Sequence, residues 1–126
     1  MKLRSSLGIV RGLGAARNGT HHWWMQRLTA VALVPLSIWL VSAIVCLSGA
    51  DYATAVQWFK SPINAALMVA ALFALFYHAQ LGMQVVFEDY IHTEWVKVAA
   101  QIALKFACIL LGLIAAIAAL KVTFGA

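Results

Sequence analysis

Charge is what this chain has least of. Only four of its 126 residues are acidic, charged residues of both signs make up 10% of it, and 64% is hydrophobic. A soluble domain carries about a quarter charged residues, so this composition excludes one. Cysteine is almost as scarce. Cys46 and Cys108 fall in different apolar runs, in no metal-binding spacing, and support no disulfide framework; they read as packing residues. Proline occurs twice, and no internal repeat or low-complexity segment divides the chain.

The charges that are missing leave three long apolar runs. Leu28–Ala50 and Ser61–Phe87 contain no Asp, Glu, Lys or Arg, and Val98–Leu120 contains only Lys105. About 20 predominantly apolar residues cross the hydrocarbon core of a bilayer, and all three runs reach that length. The expectation is an all-α fold, a bundle of three transmembrane helices over about 22–49, 62–88 and 95–122 in one membrane domain, preceded by a basic arm over about 1–20.

The net charge of +5 is placed for a membrane rather than for nucleic acid. Lys2, Arg4, Arg11, Arg17 and Arg27 all precede or begin the first span, which predicts a cytoplasmic N-terminus and an arm lying on anionic lipid or a partner subunit. Ser48-Gly49-Ala50 has the small residues of a signal-peptide cleavage site, but the apolar run before it is too long and two spans follow, so it reads as a retained helix. The lack of a transit-like leader favours a bacterial inner membrane over an imported mitochondrial protein.

Asn18-Gly19-Thr20 reads as a turn and cap before a first helix starting near His21 or His22. Trp23 and Trp24 suit one interface, Tyr52 and Trp58 the other. Pro35 is expected to kink the first helix without ending it, Pro62 to sit in the first turn of the second, and Gly49–Ser61 to form a short connection. Three helices in up-down-up order enclose little interior, so a partner membrane subunit is expected on physical grounds. Small residues on the second and third spans, such as Ala71, Ala74, Gly112 and Ala116, would permit the close contacts that assembly uses.

His78 stands out because it is an ionisable, metal-binding group inside an uncharged span. Helical spacing sets Ala71, Ala74, Gly82 and Val85 on or near its face. A flat macrocycle beside an imidazole ligand needs such small neighbours, and haem iron commonly takes a histidine. The other reading is a buried histidine bonded to the next helix, with the small residues serving helix packing. Tyr90 lies about 18 Å further along a continuous helix, near the cytoplasmic surface. Its hydroxyl suits a quinone carbonyl, and Asp89 beside it could orient that hydroxyl or deliver protons; alternatively Asp89 caps and Tyr90 is a belt aromatic. Arg27 and the pair His21-His22 start the first helix at the same level. An arginine fork with a histidine donor would suit anionic haem propionates, or Arg27 could simply snorkel to headgroups.

At these residues the chain resembles the hydrophobic membrane-anchor D subunit of succinate dehydrogenase, respiratory complex II. His78-Ala79-Gln80-Leu81-Gly82-Met83 followed by Asp89-Tyr90 is similar to the family pattern H-A-x-x-G-M…D-Y. Arg17-Asn18-Gly19-Thr20-His21 and Arg27-Leu28-Thr29-Ala30 resemble its R-N-G-x-H and R-x-T-A elements. The resemblance implies half of a heterodimeric anchor, with a second three-helix membrane-anchor subunit and one b-type haem shared between the two. It implies His78 as axial iron ligand, His21 and Arg27 at the propionates, and Tyr90 with Asp89 at ubiquinone. The iron–sulfur subunit and the FAD-bearing flavoprotein subunit would complete an enzyme in which this chain alone is not catalytic. His22, where an acidic residue can occur, and Lys105 depart from the pattern.

Two other functions stay open on the residues. One is the anchor of a fumarate reductase running on menaquinone. The other is a small proton-coupled transporter using His78 or Lys105, against which stands the lack of any acidic residue at mid-membrane.

Overall fold

Four helices make up residues 19–125, the part of the chain that the computed structural model describes: α1 (Gly19–Leu47), α2 (Tyr52–Lys60), α3 (Pro62–Tyr90) and α4 (Glu94–Phe124). No strand occurs among the described residues. The basic arm, with Lys2, Arg4, Arg11, Arg17 and Asn18, lies outside them. Helices α1, α3 and α4 are each long and apolar enough to cross a membrane, which bears out the three-span, all-α reading.

Each boundary has a local cause. Pro62 opens α3 at a position where its missing N–H costs no hydrogen bond. Pro35 is accommodated within α1. At the far end of α4, Gly125 adopts φ 71°, and its N–H bonds the carbonyl of Lys121 to close the helix.

Gly49–Ser61 is not the bare connection expected from the sequence. It contains α2, a nine-residue helix capped by Asp51, whose carboxylate accepts the Thr54 N–H at 2.9 Å. Hydrogen bonding from Thr54, through its side chain first and its backbone second, holds the Asp51 carboxyl below its ordinary value. Trp58 stacks on Trp39 of α1 with ring centroids 5.6 Å apart, and its carbonyl accepts from Asn64 of α3 at 2.9 Å. The short helix is thereby tied to two spans at one membrane face.

Helix α3 is the centre of the layer. It packs against both α1 and α4, and α2 touches α3 and α4. The register is antiparallel on each side. Thr29 of α1 is level with His78 and Gln26 with Gly82, while Gly112 of α4 is level with Phe76 and Gln101 with Glu88. At about 100° per residue, His78 points roughly opposite to Phe76 and Gln80, so α1 and α4 lie on opposite flanks of α3.

The interior is correspondingly thin. Among the described residues the buried ones are Thr29, Ala43, Ala65, Ala71, Ala74 and Leu81, and none comes from α4. Val31, Ile38, Phe73, Phe106 and Ile117 are among many large side chains facing outward. Apolar surface on this scale suits lipid or other membrane helices and is far beyond what a soluble monomer exposes.

The α3–α4 seam is close at one point. A methyl group on Gly112 would meet Phe76 Cδ2 at 3.4 Å, an ordinary contact. We expect Gly112→Ala to leave the melting temperature of the detergent-solubilised protein nearly unchanged. Gly112→Leu should lower it, by overpacking of about 1–3 kcal/mol. Thermal unfolding of the two variants side by side checks this.

Candidate functional site

The uncharged middle of α3 and the uncharged middle of α1 meet through one polar contact. Thr29 Oγ1 and His78 Nδ1 are 3.0 Å apart. Thr29 is 5% exposed, the one buried polar residue among those described, so its partners matter energetically. Its hydroxyl also lies 2.8 Å from the carbonyl of Met25 and 3.1 Å from that of Gln26. His78 itself is half-buried. Its second nitrogen, Nε2, has no hydrogen-bond partner among the described residues. The one side-chain nitrogen or oxygen both buried and without a partner among the described residues is Nε2 of His22.

The small residues beside His78 divide into two groups. Ala71 and Ala74 are each 6% exposed, covered by the packing of the chain itself. They serve helix contact, the second of the two roles their spacing allows, and leave no cradle of their own for a macrocycle. Gly82 differs: a methyl group there would meet nothing nearer than Gln26 Nε2 at 4.0 Å. Packing among the described residues therefore does not itself require a glycine at position 82.

Along α1 the residues facing this seam are His22, Gln26 and Thr29, at helical spacing i, i+4, i+7. His22 is half-buried and His21 is exposed. Arg27 is exposed and turned about 160° from Thr29 around the helix axis. Its guanidinium lies over the Trp23 ring, 5.4 Å from the centroid, and Trp23 packs edge-on against Trp24 at 5.2 Å. Within this chain, then, His78 and Thr29 are brought together, His22 joins their face, and His21 and Arg27 stand outside it.

Tyr90 is the last residue of α3 and is 81% exposed; Asp89 is exposed too. The register places them level with the start of α1 near Gly19, about 18 Å along the axis from His78. Neither side chain has a hydrogen-bond partner among the described residues. The neighbouring Glu88 does: its Oε1 accepts from Gln84 at 2.9 Å and from Gln101 at 3.2 Å, which stitches the ends of α3 and α4 together. Glu94 pairs with Lys97 at 3.0 Å. Lys105 is exposed on α4, on the flank of α3 away from His78.

No group of three His, Cys, Asp or Glu side chains that could hold a metal ion occurs among the described residues. Any metal held through His78 would take its other ligands from elsewhere. An imidazole with one nitrogen hydrogen-bonded to its own chain has its other nitrogen available as a donor.

Two residues of this site carry no role that the sequence alone assigns. Thr29 belongs to the R-x-T-A element, yet its contact to His78 is across helices and has no local signature. His22 is indistinguishable from His21 by position along the chain; the 22/26/29 spacing is the signal that separates them.

Comparison with known proteins gives a consistent family. The family described as Succinate dehydrogenase/Fumarate reductase transmembrane subunit matches residues 1–112. The chain is similar to the succinate dehydrogenase hydrophobic membrane anchor subunit of Rickettsia bellii, at 37% identity over 107 residues, covering 85% of this chain and 86% of the relative. The subunit of the same name from Rickettsia conorii is 33% identical over 101 residues, covering 79% and 80%. The succinate dehydrogenase membrane anchor subunit of Reclinomonas americana is 29% identical over 85 residues, covering 65% and 71%.

Proposed function

Because the chain belongs to the succinate dehydrogenase/fumarate reductase transmembrane-subunit family, we propose that it anchors a succinate:ubiquinone oxidoreductase and contributes one side of a haem b site and part of a ubiquinone site. The observation that carries the cofactor reading is His78, whose Nδ1 is engaged by Thr29 and whose Nε2 has no hydrogen-bond partner among the described residues. The relatives named above are all succinate dehydrogenase anchors, which favours the succinate-oxidising direction over fumarate reduction.

In this reading a second membrane-anchor subunit packs against the α1–α3 face. It would cover the outward apolar surface there and would supply a further ligand to the iron. The b-type haem, when bound, provides a one-electron centre between the two anchors. His78 Nε2 would hold the iron from this chain, with the small residue Gly82 one turn along the same helix face. His21 and Arg27 lie near the same membrane face, and Arg27 would reach an anionic propionate only by leaving its stack on Trp23.

Tyr90 acts at the end of α3. Its neutral hydroxyl donates a hydrogen bond to a quinone carbonyl, holding the ring where electrons from iron–sulfur clusters of a partner subunit arrive. Asp89, one residue away, helps to supply the protons that turn the quinone into ubiquinol. A flavoprotein subunit with FAD oxidises succinate, and the chain performs no catalysis by itself. The membrane is the bacterial inner membrane, with the N-terminus and Tyr90 on the cytoplasmic side.

The test is isolation of the native assembly through a tag on this chain. Expected are co-purifying flavin and iron, two soluble subunits, a second three-helix subunit and succinate-dependent quinone reduction. A homo-oligomer without flavin or iron would contradict the proposal and favour the transporter alternative.

A further inference from the structure

The hydrogens available at Thr29 lead beyond His78 as a ligand. A threonine hydroxyl has one proton to donate. Three acceptor-capable atoms surround Oγ1: the carbonyls of Met25 at 2.8 Å and Gln26 at 3.1 Å, and His78 Nδ1 at 3.0 Å. A carbonyl can only accept. A threonine inside an apolar helix ordinarily donates back to the carbonyl four residues earlier, and the Met25 contact is the shortest of the three. With its proton given to the backbone, Oγ1 has only lone pairs to offer the imidazole. His78 Nδ1 must then be the donor.

We propose that Thr29 is a positioning residue that fixes His78 as the Nδ1–H tautomer, so that the lone pair of the neutral ring is on Nε2. This rests on the proposed haem reading and adds to it the group that selects the ligating atom and sets the ring's orientation.

The consequences are specific. The ring is pinned at one nitrogen by a side chain that is itself fixed by two backbone carbonyls within one turn of α1. That geometry holds before any partner arrives, so ordering the imidazole costs little when a ligand binds. A donated Nδ1–H bond also makes Nε2 a better electron donor, which favours the oxidised state of a bound iron. Burial keeps the arrangement closed: at 5% exposure Thr29 has no water to substitute for the histidine.

The experiment uses the tagged native complex with Thr29→Val, which keeps the shape and removes the hydroxyl, and Thr29→Ser, which keeps the hydroxyl. The readouts are haem content per flavin, the haem midpoint potential and the low-spin ferric EPR signal. Expected for Thr29→Val is a midpoint potential moved to more positive values with a displaced EPR signal, and for Thr29→Ser values close to the parent. Should Thr29→Val fail to assemble, Thr29→Ala removes the same hydroxyl without crowding the seam and carries the same expectation. Haem retained with an unmoved potential and signal in the hydroxyl-free variant overturns the proposal. So do equal shifts in the valine and serine variants, because the hydroxyl would not be the cause. A His78→Ala control separates the two levels. Full haem retention there removes the ligand reading itself, whereas haem loss there with an unresponsive Thr29→Val removes only the role of Thr29.

Discussion

Replacing His78 with alanine is expected to abolish or grossly alter the b-type haem absorbance of the purified complex while the apolar helices still assemble. The reason lies in the donors at hand. No group of three metal-binding side chains forms among the described residues. His22, the nearest histidine on the facing surface of α1, sits two turns from Thr29, about 10 Å along the axis, too far to replace it. The loss at the iron should therefore be qualitative. A spectrum and haem-to-flavin ratio matching the parent would remove His78 as ligand. Loss of the soluble subunits from the preparation would instead show that the change had broken the anchor.

The second large effect is expected at Tyr90. Tyr90→Phe keeps the ring at the end of α3 and removes only the hydroxyl, on a side chain that is 81% exposed and so contributes little to the packing of this chain. Folding should be indifferent to the change. If the hydroxyl holds a quinone carbonyl, losing one hydrogen bond of about 0.5–1.5 kcal/mol slows quinone reduction about two- to tenfold. Succinate oxidation measured with a soluble artificial acceptor should continue at the parental rate, because those electrons never reach the membrane site. An equal fall in both activities would assign Tyr90 to assembly, and an unchanged quinone rate would return it to the aromatic belt.

The three spans are readable in the sequence because lipid leaves a coarse signature. Long runs without charge cannot be loops, and the runs beginning near Leu28, Ser61 and Val98 each form one continuous helix. Helix α2 is not readable in the same way. Nine residues are too few for a span, and Tyr52 and Trp58 read equally well as interfacial aromatics on a plain connection. The local signal is Asp51 three residues before Thr54, which the structure uses as a cap. At the candidate site, His78 is conspicuous because a titratable group in an uncharged run is rare. What it touches is not legible, since Thr29 lies 49 residues away and only the antiparallel register of α1 and α3 brings the two together. Periodicity also misleads in one respect. Ala71 and Ala74 share the His78 face, but tertiary packing decides whether that face is open, and both are buried. Arg27 shows the same limit. Its position along α1 suits the site, while its direction around the helix turns it toward Trp23.

In the proposed function both the cofactor and the electron path would depend on one imidazole inside the membrane, His78, binding iron jointly with another subunit. The most direct test is the reduced-minus-oxidised visible spectrum of the unmodified complex, purified through this chain and normalised to flavin. The expected result is a b-type spectrum at one haem per flavin. A preparation with full flavin, full succinate-to-quinone activity and no porphyrin absorbance would contradict it.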